Sequence, residues 1–188
     1  VAVGSEAGEI VQGASSVAIG KQAGYNNQSA DAVAVGAAAG NIYQGDSATA
    51  LGKTAGYDNQ GDNAVAVGYG AGSFTQGDNA TALGNSSGYT GQGANAIAIG
   101  SQAGYSNQAA NSIVLNATGN ILNNTQADAF IVKPVRNDTM TTILGYNAAT
   151  GEVTHNAAIP GYTNTADLKA LVAASADFTD FQTRIAAL

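Results

Sequence analysis

One short motif recurs through the first 128 of the 188 residues at an unvarying interval of 16 residues. Each copy reads as a branched residue, Ala, a second branched residue and Gly. The copies begin at Val1, Val17, Val33, Thr49, Val65, Thr81 and Ile97, and a degenerate copy begins at Ile113. A fixed period without insertions indicates a repeat architecture, in which each unit packs against its neighbours.

Sixteen residues suit one coil of a parallel β-solenoid, with two short strands and two turns. Equivalent positions then stack about 4.8 Å apart, so eight coils would form a rod about 38 Å long. Position 12 is Gln in seven coils, from Gln12 to Gln108. Stacked side-chain amides hydrogen-bond to one another along such a column. The sequence therefore predicts an all-β parallel solenoid with a Gln ladder.

The motif has two faces because successive strand residues point in opposite directions. We expect the branched residues at positions 1 and 3 to fill the coil, and the Ala/Gly face to pack on another copy of the chain. Two branched residues per coil bury too little apolar surface to offset the ordering of so many residues, which favours an oligomer. The candidate packing residues are Ala18, Ala34, Ala50, Ala66, Ala82 and Ala98.

The amino-acid composition argues against several classes of function. The net charge is −7, and Lys21 and Lys53 are the only cations in the first 128 residues, which argues against nucleic-acid binding. No apolar run approaches the length of a membrane span, and Cys is absent. Because the chain begins at Val1 inside a motif, we expect it to be a fragment or a processed form.

Beyond the repeat array at 1–128, we expect a β-structured neck at 129–160 and a helical segment at 161–188. Residues 129–136 resemble a strand that Pro134 limits to an edge or a strand end. A hairpin is predicted around residues 147–151. The helix either forms a coiled coil or bends at Ser175. Its candidate packing residues are Leu168, Leu171, Phe178, Ile185 and Leu188.

Candidate chemistry is sparse. Asp46, Asp62 and Asp78 form a column of either turn-stabilising or calcium-binding carboxylates, and we favour the turn. Glu6 and Glu9 lie in the repeat and His155 in the hairpin, contexts that favour structural roles. We expect no catalytic residue, metal or cofactor. Exposed rings could stack on sugars of a cell envelope or cover Gly in a neighbouring coil or chain; the candidates are Tyr25, Tyr57, Tyr89 and Tyr105.

Units such as Ser16-Val-Ala-Ile-Gly20 and Ala96-Ile-Ala-Ile-Gly100 resemble the head repeat of YadA-like trimeric adhesins. The resemblance covers residues 1–128 and implies a homotrimer of left-handed parallel β-rolls. The family's usual repeat is slightly shorter than 16 residues. The following segments, Ala129-Phe-Ile-Val-Lys-Pro-Val-Arg136 among them, are similar to fibre proteins of phages and large algal viruses, and the last residues to proteins from phages of marine cyanobacteria.

The resemblance implies a structural virion protein, a phage tail fibre in host attachment, and not an enzyme. Its partners would be other virion tail proteins and a host cell-surface receptor or glycan, which this segment either binds or spaces from the virion. The alternative is the head of a bacterial trimeric adhesin on the cell surface. Neighbouring tail genes would favour the fibre, and secretion genes the adhesin.

Overall fold

The chain is seen in a computed structural model, which describes residues 1–135, 143–147, 149–156, 179–180 and 182. The chain divides into two compact units, residues 1–135 and residues 136–188. The first unit is an all-β parallel solenoid with coils of 16 residues. The described part of the second contains an antiparallel hairpin and the helical residues 179–180 and 182.

The solenoid contains fifteen strands. In chain order these are β1 Ala2–Val3, β2 Ile10–Gln12, β3 Val17–Ile19, β4 Asn26–Gln28, β5 Val33–Val35, β6 Ile42–Gln44, β7 Thr49–Leu51, β8 Asp58–Gln60, β9 Val65–Val67, β10 Phe74–Gln76, β11 Thr81–Leu83, β12 Thr90–Gln92, β13 Ile97–Ile99, β14 Ile113–Asn116 and β15 Phe130–Lys133.

Two parallel sheets form the walls of the solenoid. The first has nine strands in the order β1-β3-β5-β7-β9-β11-β13-β14-β15, and the second has six in the order β12-β10-β8-β6-β4-β2. Each motif pairs with the next in register, as Val17 does with Val33. The predicted stacking of one coil on the next is therefore confirmed.

The first sheet continues past residue 128, the predicted end of the repeat array. β15 pairs in parallel with β14 and is the last strand of that sheet. It ends at Lys133, directly before Pro134, because Pro lacks the N–H that would continue the ladder. The prediction that Pro134 limits this strand to an edge or a strand end is confirmed.

From the second coil to the seventh, the core consists mainly of Ala and Gln, whereas the last coil encloses Val114 and Leu122. Nε2 of Gln44 crosses the interior and donates to the carbonyl oxygen of Val33 at 2.9 Å, joining the two sheets. It also donates to Oε1 of Gln60 in the next coil at 3.1 Å. The same pair of bonds recurs in neighbouring coils, so the predicted Gln ladder is confirmed.

The assignment of the two motif faces is wrong. The Ala face lines the inside of the coil, and the branched positions point outward. The Ala residues proposed for packing between copies are fully buried within one chain: Ala18, Ala34, Ala50, Ala66, Ala82 and Ala98. The reason is space, since each coil already encloses a Gln. A Cβ built on Gly56 would lie 2.6 Å from Oε1 of Gln60 and 3.2 Å from Cβ of Ala50.

Left-handed backbone conformations shape the coil. Gly52 has a φ of +129°, and a Cβ there would lie 2.6 Å from the carbonyl oxygen of Gly68 in the next coil. Non-Gly residues also adopt positive φ at positions 6, 11 and 15, as at Thr54, Asn59 and Asn63. Position 11 is the middle residue of each second-sheet strand, and the ladder pairs only the residues on either side of it.

The hairpin in the second unit was also predicted. β16 Ile143–Asn147 pairs antiparallel with β17 Glu152–Asn156. Oδ1 of Asn147 accepts hydrogen bonds from the backbone N–H groups of Ala149 and Thr150, which stabilises the turn. The proposed helix-packing residues lie outside the described residues: Leu168, Leu171, Phe178, Ile185 and Leu188.

Candidate functional site

An apolar stripe runs along the outer face of the first sheet. We define it by the position-3 residues Val3, Ile19, Val35, Leu51, Val67, Leu83 and Ile99. Five of them expose between 38% and 56% of their surface. One branched side chain per coil, repeated about every 4.8 Å, gives a continuous apolar row. Soluble monomers rarely leave large apolar patches uncovered, so the stripe is a candidate interface.

The sequence predicted that the position-3 residues share one face of the strand, but it also predicted, wrongly, that this face fills the coil. The strict alternation of branched residues and Ala showed that two faces exist. The missing information was the space between the two sheets. Because Gln occupies that space, the larger side chains must point away from it.

A second apolar feature, the aromatic ridge, consists of Tyr57, Phe74, Tyr89 and Tyr105. Tyr57 and Phe74 meet edge to face with ring centroids 5.8 Å apart, and Phe74 and Tyr89 do so at 5.4 Å. Tyr89 and Tyr105 stack at 5.1 Å. Such pairs stabilise packing beyond simple burial. The ring contacts of the ridge therefore help to hold neighbouring coils together.

The ridge explains why Phe74 occupies position 10 while its two Tyr partners occupy position 9. Phe74 lies between two Tyr rings of the neighbouring coils, while the position-9 residue of its own coil, Ser73, is buried. Tyr89 also covers a Gly, since a Cβ on Gly70 would lie 3.3 Å from its ring. The sequence-predicted residues Tyr25, Tyr57, Tyr89 and Tyr105 are all half-buried.

The Asp column stabilises the turns. Oδ1 of Asp62 accepts a hydrogen bond from the backbone N–H of Asp46, one coil earlier, at 2.9 Å, and Asp78 does the same for Asp62 at 3.1 Å. Gly45 leaves room for this contact, because a Cβ there would lie 2.6 Å from Oδ1 of Asp62. The turn-stabilising interpretation is confirmed.

The remaining candidate groups belong to different units of the chain, Glu6 to the first and His155 to the second. Oε2 of Glu6 accepts a hydrogen bond from Gln22, and His155 pairs with Leu144 in the hairpin. In the described ranges no three His, Asp or Glu side chains gather as a metal site would require. None of the helical residues that the structure describes belongs to a helix long and apolar enough to cross a membrane.

Searches of family models, curated proteins and solved structures find no match to this chain.

Proposed function

We propose that this chain is a segment of a trimeric virion fibre, of the phage tail-fibre type, which takes part in host attachment. The apolar stripe carries the proposal. It lies on a parallel sheet of the solenoid, and a second copy of the same chain offers a surface with the same 16-residue repeat in the motif. Copies packed through the stripe would remove Ile19, Leu51 and Leu83 from water.

A stripe confined to one sheet suits packing around a shared axis, since each copy contributes one face. The number three follows from the resemblance of the motif to the head repeat of trimeric adhesins. Closed symmetry also avoids open-ended assembly, because every stripe is covered once the ring closes.

The rigidity of the solenoid suits a fibre. Each coil is tied to the next by two parallel ladders, a Gln amide ladder and an Ala core. Asp carboxylates add a further bond at the turns. Such a rod would carry force between the other virion tail proteins and a receptor or glycan on the host surface.

Light scattering on the purified chain tests the assembly. A molar mass near three times 18.5 kDa is expected, and a monomer of 18.5 kDa would overturn the trimer. Attachment is tested separately by incubating the labelled trimer with a panel of bacterial strains. Adsorption to some strains and not to others supports host attachment, whereas adsorption to none would overturn it.

A further inference from the structure

A shallow groove of about 290 Å³ opens on the outer side of the second sheet. Tyr43 of β6 lies in its wall, with Asn27 of β4 and Asn59 of β8 in the coils before and after it. All three residues occupy position 11 of their coils. The groove therefore presents one aromatic ring flanked by two amides along the rod, and about 9.6 Å separates the backbones that carry those amides.

Tyr43 is the unusual member of this column. Its φ is +53°, a conformation that Asn tolerates and that costs a bulky residue more. The side chain is also 54% exposed. Asn27 and Asn59 adopt the same conformation at the same position. The coil therefore folds with Asn here, and its backbone geometry does not require Tyr43.

The polar groups in the groove have hydrogen-bonding capacity to spare. The amides of Asn27 and Asn59 and the hydroxyls of Ser29 and Tyr43 make no side-chain hydrogen bond to any residue in the described part of the chain. Gln44 and Gln60 also line the groove, but their Nε2 groups are used in the ladder. No charged side chain is among the lining residues.

We propose that this groove binds a neutral oligosaccharide. A sugar ring has an apolar face of C–H groups that fits an exposed aromatic ring, and a rim of hydroxyls that amides and hydroxyls bind as donors and acceptors. The inference rests on the proposed role in host attachment and names the ligand class and its site. Anionic glycans are disfavoured, because the exposed carboxylates of Asp46 and Asp62 lie at the adjacent turns.

This site differs from the row predicted from the sequence. Rings of that row at Tyr57, Tyr89 and Tyr105 pack on other rings, whereas Tyr43 has no ring partner within the described residues. The groove lies on the second sheet and the apolar stripe on the first. Copies that pack through the stripe would therefore leave Tyr43 accessible.

The test is binding of the full chain to an array of neutral, sialylated and phosphorylated oligosaccharides. The decisive variant is Tyr43→Asn, which introduces the residue that neighbouring coils carry at this position and should leave the melting temperature unchanged or raised. The matched control is Tyr69→Asn, which removes an equally exposed ring that lies near Lys53. We expect Tyr43→Asn to weaken binding to neutral glycans by about tenfold or more, and the control to change it by less than about twofold.

Two results would overturn the inference: absence of any neutral glycan that binds the wild-type chain, or equal binding by wild type and Tyr43→Asn. Failure of the proposed fibre function would give a different experimental result from failure of the glycan site. A trimer that adsorbs to cells equally well with Tyr43→Asn would eliminate the groove and keep the fibre, whereas a monomeric chain would eliminate the trimeric fibre whatever it binds.

Discussion

Nε2 of Gln60 donates hydrogen bonds to the carbonyl oxygen of Thr49 at 2.9 Å and to Oε1 of Gln76 at 3.2 Å. The first bond joins the two sheets within a coil, and the second joins that coil to the next. Because Gln60 is almost fully buried, no water replaces either bond. One side chain thus sets both the width of the solenoid and the stacking of its coils.

Replacing Gln60 by Leu should lower the free energy of unfolding by about 3 kcal/mol, since buried polar partners lose their bonds. The exposed Gln126 provides the control: Gln126→Leu should change stability by less than about 0.5 kcal/mol. Chemical denaturation of both variants gives the comparison. Equal stabilities would show that the ladder contributes nothing.

Substitution Gly52→Ala should destabilise the solenoid by more than about 3 kcal/mol, because its Cβ would overlap the carbonyl of Gly68 in the next coil. At Gly119, φ is also positive, yet no atom lies within 4 Å of a built Cβ. Gly119→Ala should therefore cost only about 1 kcal/mol, from backbone conformation alone. Thermal unfolding distinguishes the two, and similar losses would contradict close stacking at Gly52.

Thr75 is a β-branched residue with a φ of +56° at position 11. Thr75→Asn should raise stability by about 1 kcal/mol, since Asn adopts this conformation more readily. The control is Thr90→Asn in β12, a strand residue without positive φ, which should not be stabilised. A melting temperature lowered by Thr75→Asn would show that the Thr side chain makes an unrecognised contribution.

Asp62→Ala should destabilise the chain by about 1 kcal/mol through loss of the bond from the Asp46 N–H. Asp62→Asn keeps an oxygen acceptor at the same place and should recover most of that loss. Denaturation of the two variants at one salt concentration makes the comparison. If Asn and Ala were equally destabilising, the carboxylate would act through its charge and not through this hydrogen bond.

The apolar stripe predicts that Leu51→Lys combined with Leu83→Lys dissociates the trimer, because two cations per copy would be buried at the shared axis. Light scattering should then give a mass near 18.5 kDa. Val11→Lys is the matched control, since Val11 is exposed on the second sheet, away from the stripe. A trimer that tolerates the double substitution would rule out the stripe as its interface.

The period, the strands and the Gln ladder can all be predicted from the amino-acid sequence alone. Sixteen-residue spacing places Gln44 on Gln60 and Asp46 on Asp62 in any parallel stack, because an insertion-free repeat brings equivalent positions together. The hairpin at Asn147 also followed from local turn chemistry. These features depend on neighbours one coil away or closer.

Which face of the motif lies inside the coil depends on the tertiary structure. The alternation of side chains along a strand shows that Ala50 and Leu51 point in opposite directions, but it does not determine which of them points to the core. That depends on the gap between the sheets, and Gln60 with Gly56 leaves a gap in which only Ala fits. The tertiary structure also determines that Tyr43 is open to solvent and that the amides of Asn27 and Asn59 lack side-chain hydrogen bonds. These properties depend on how the coil folds across its own interior.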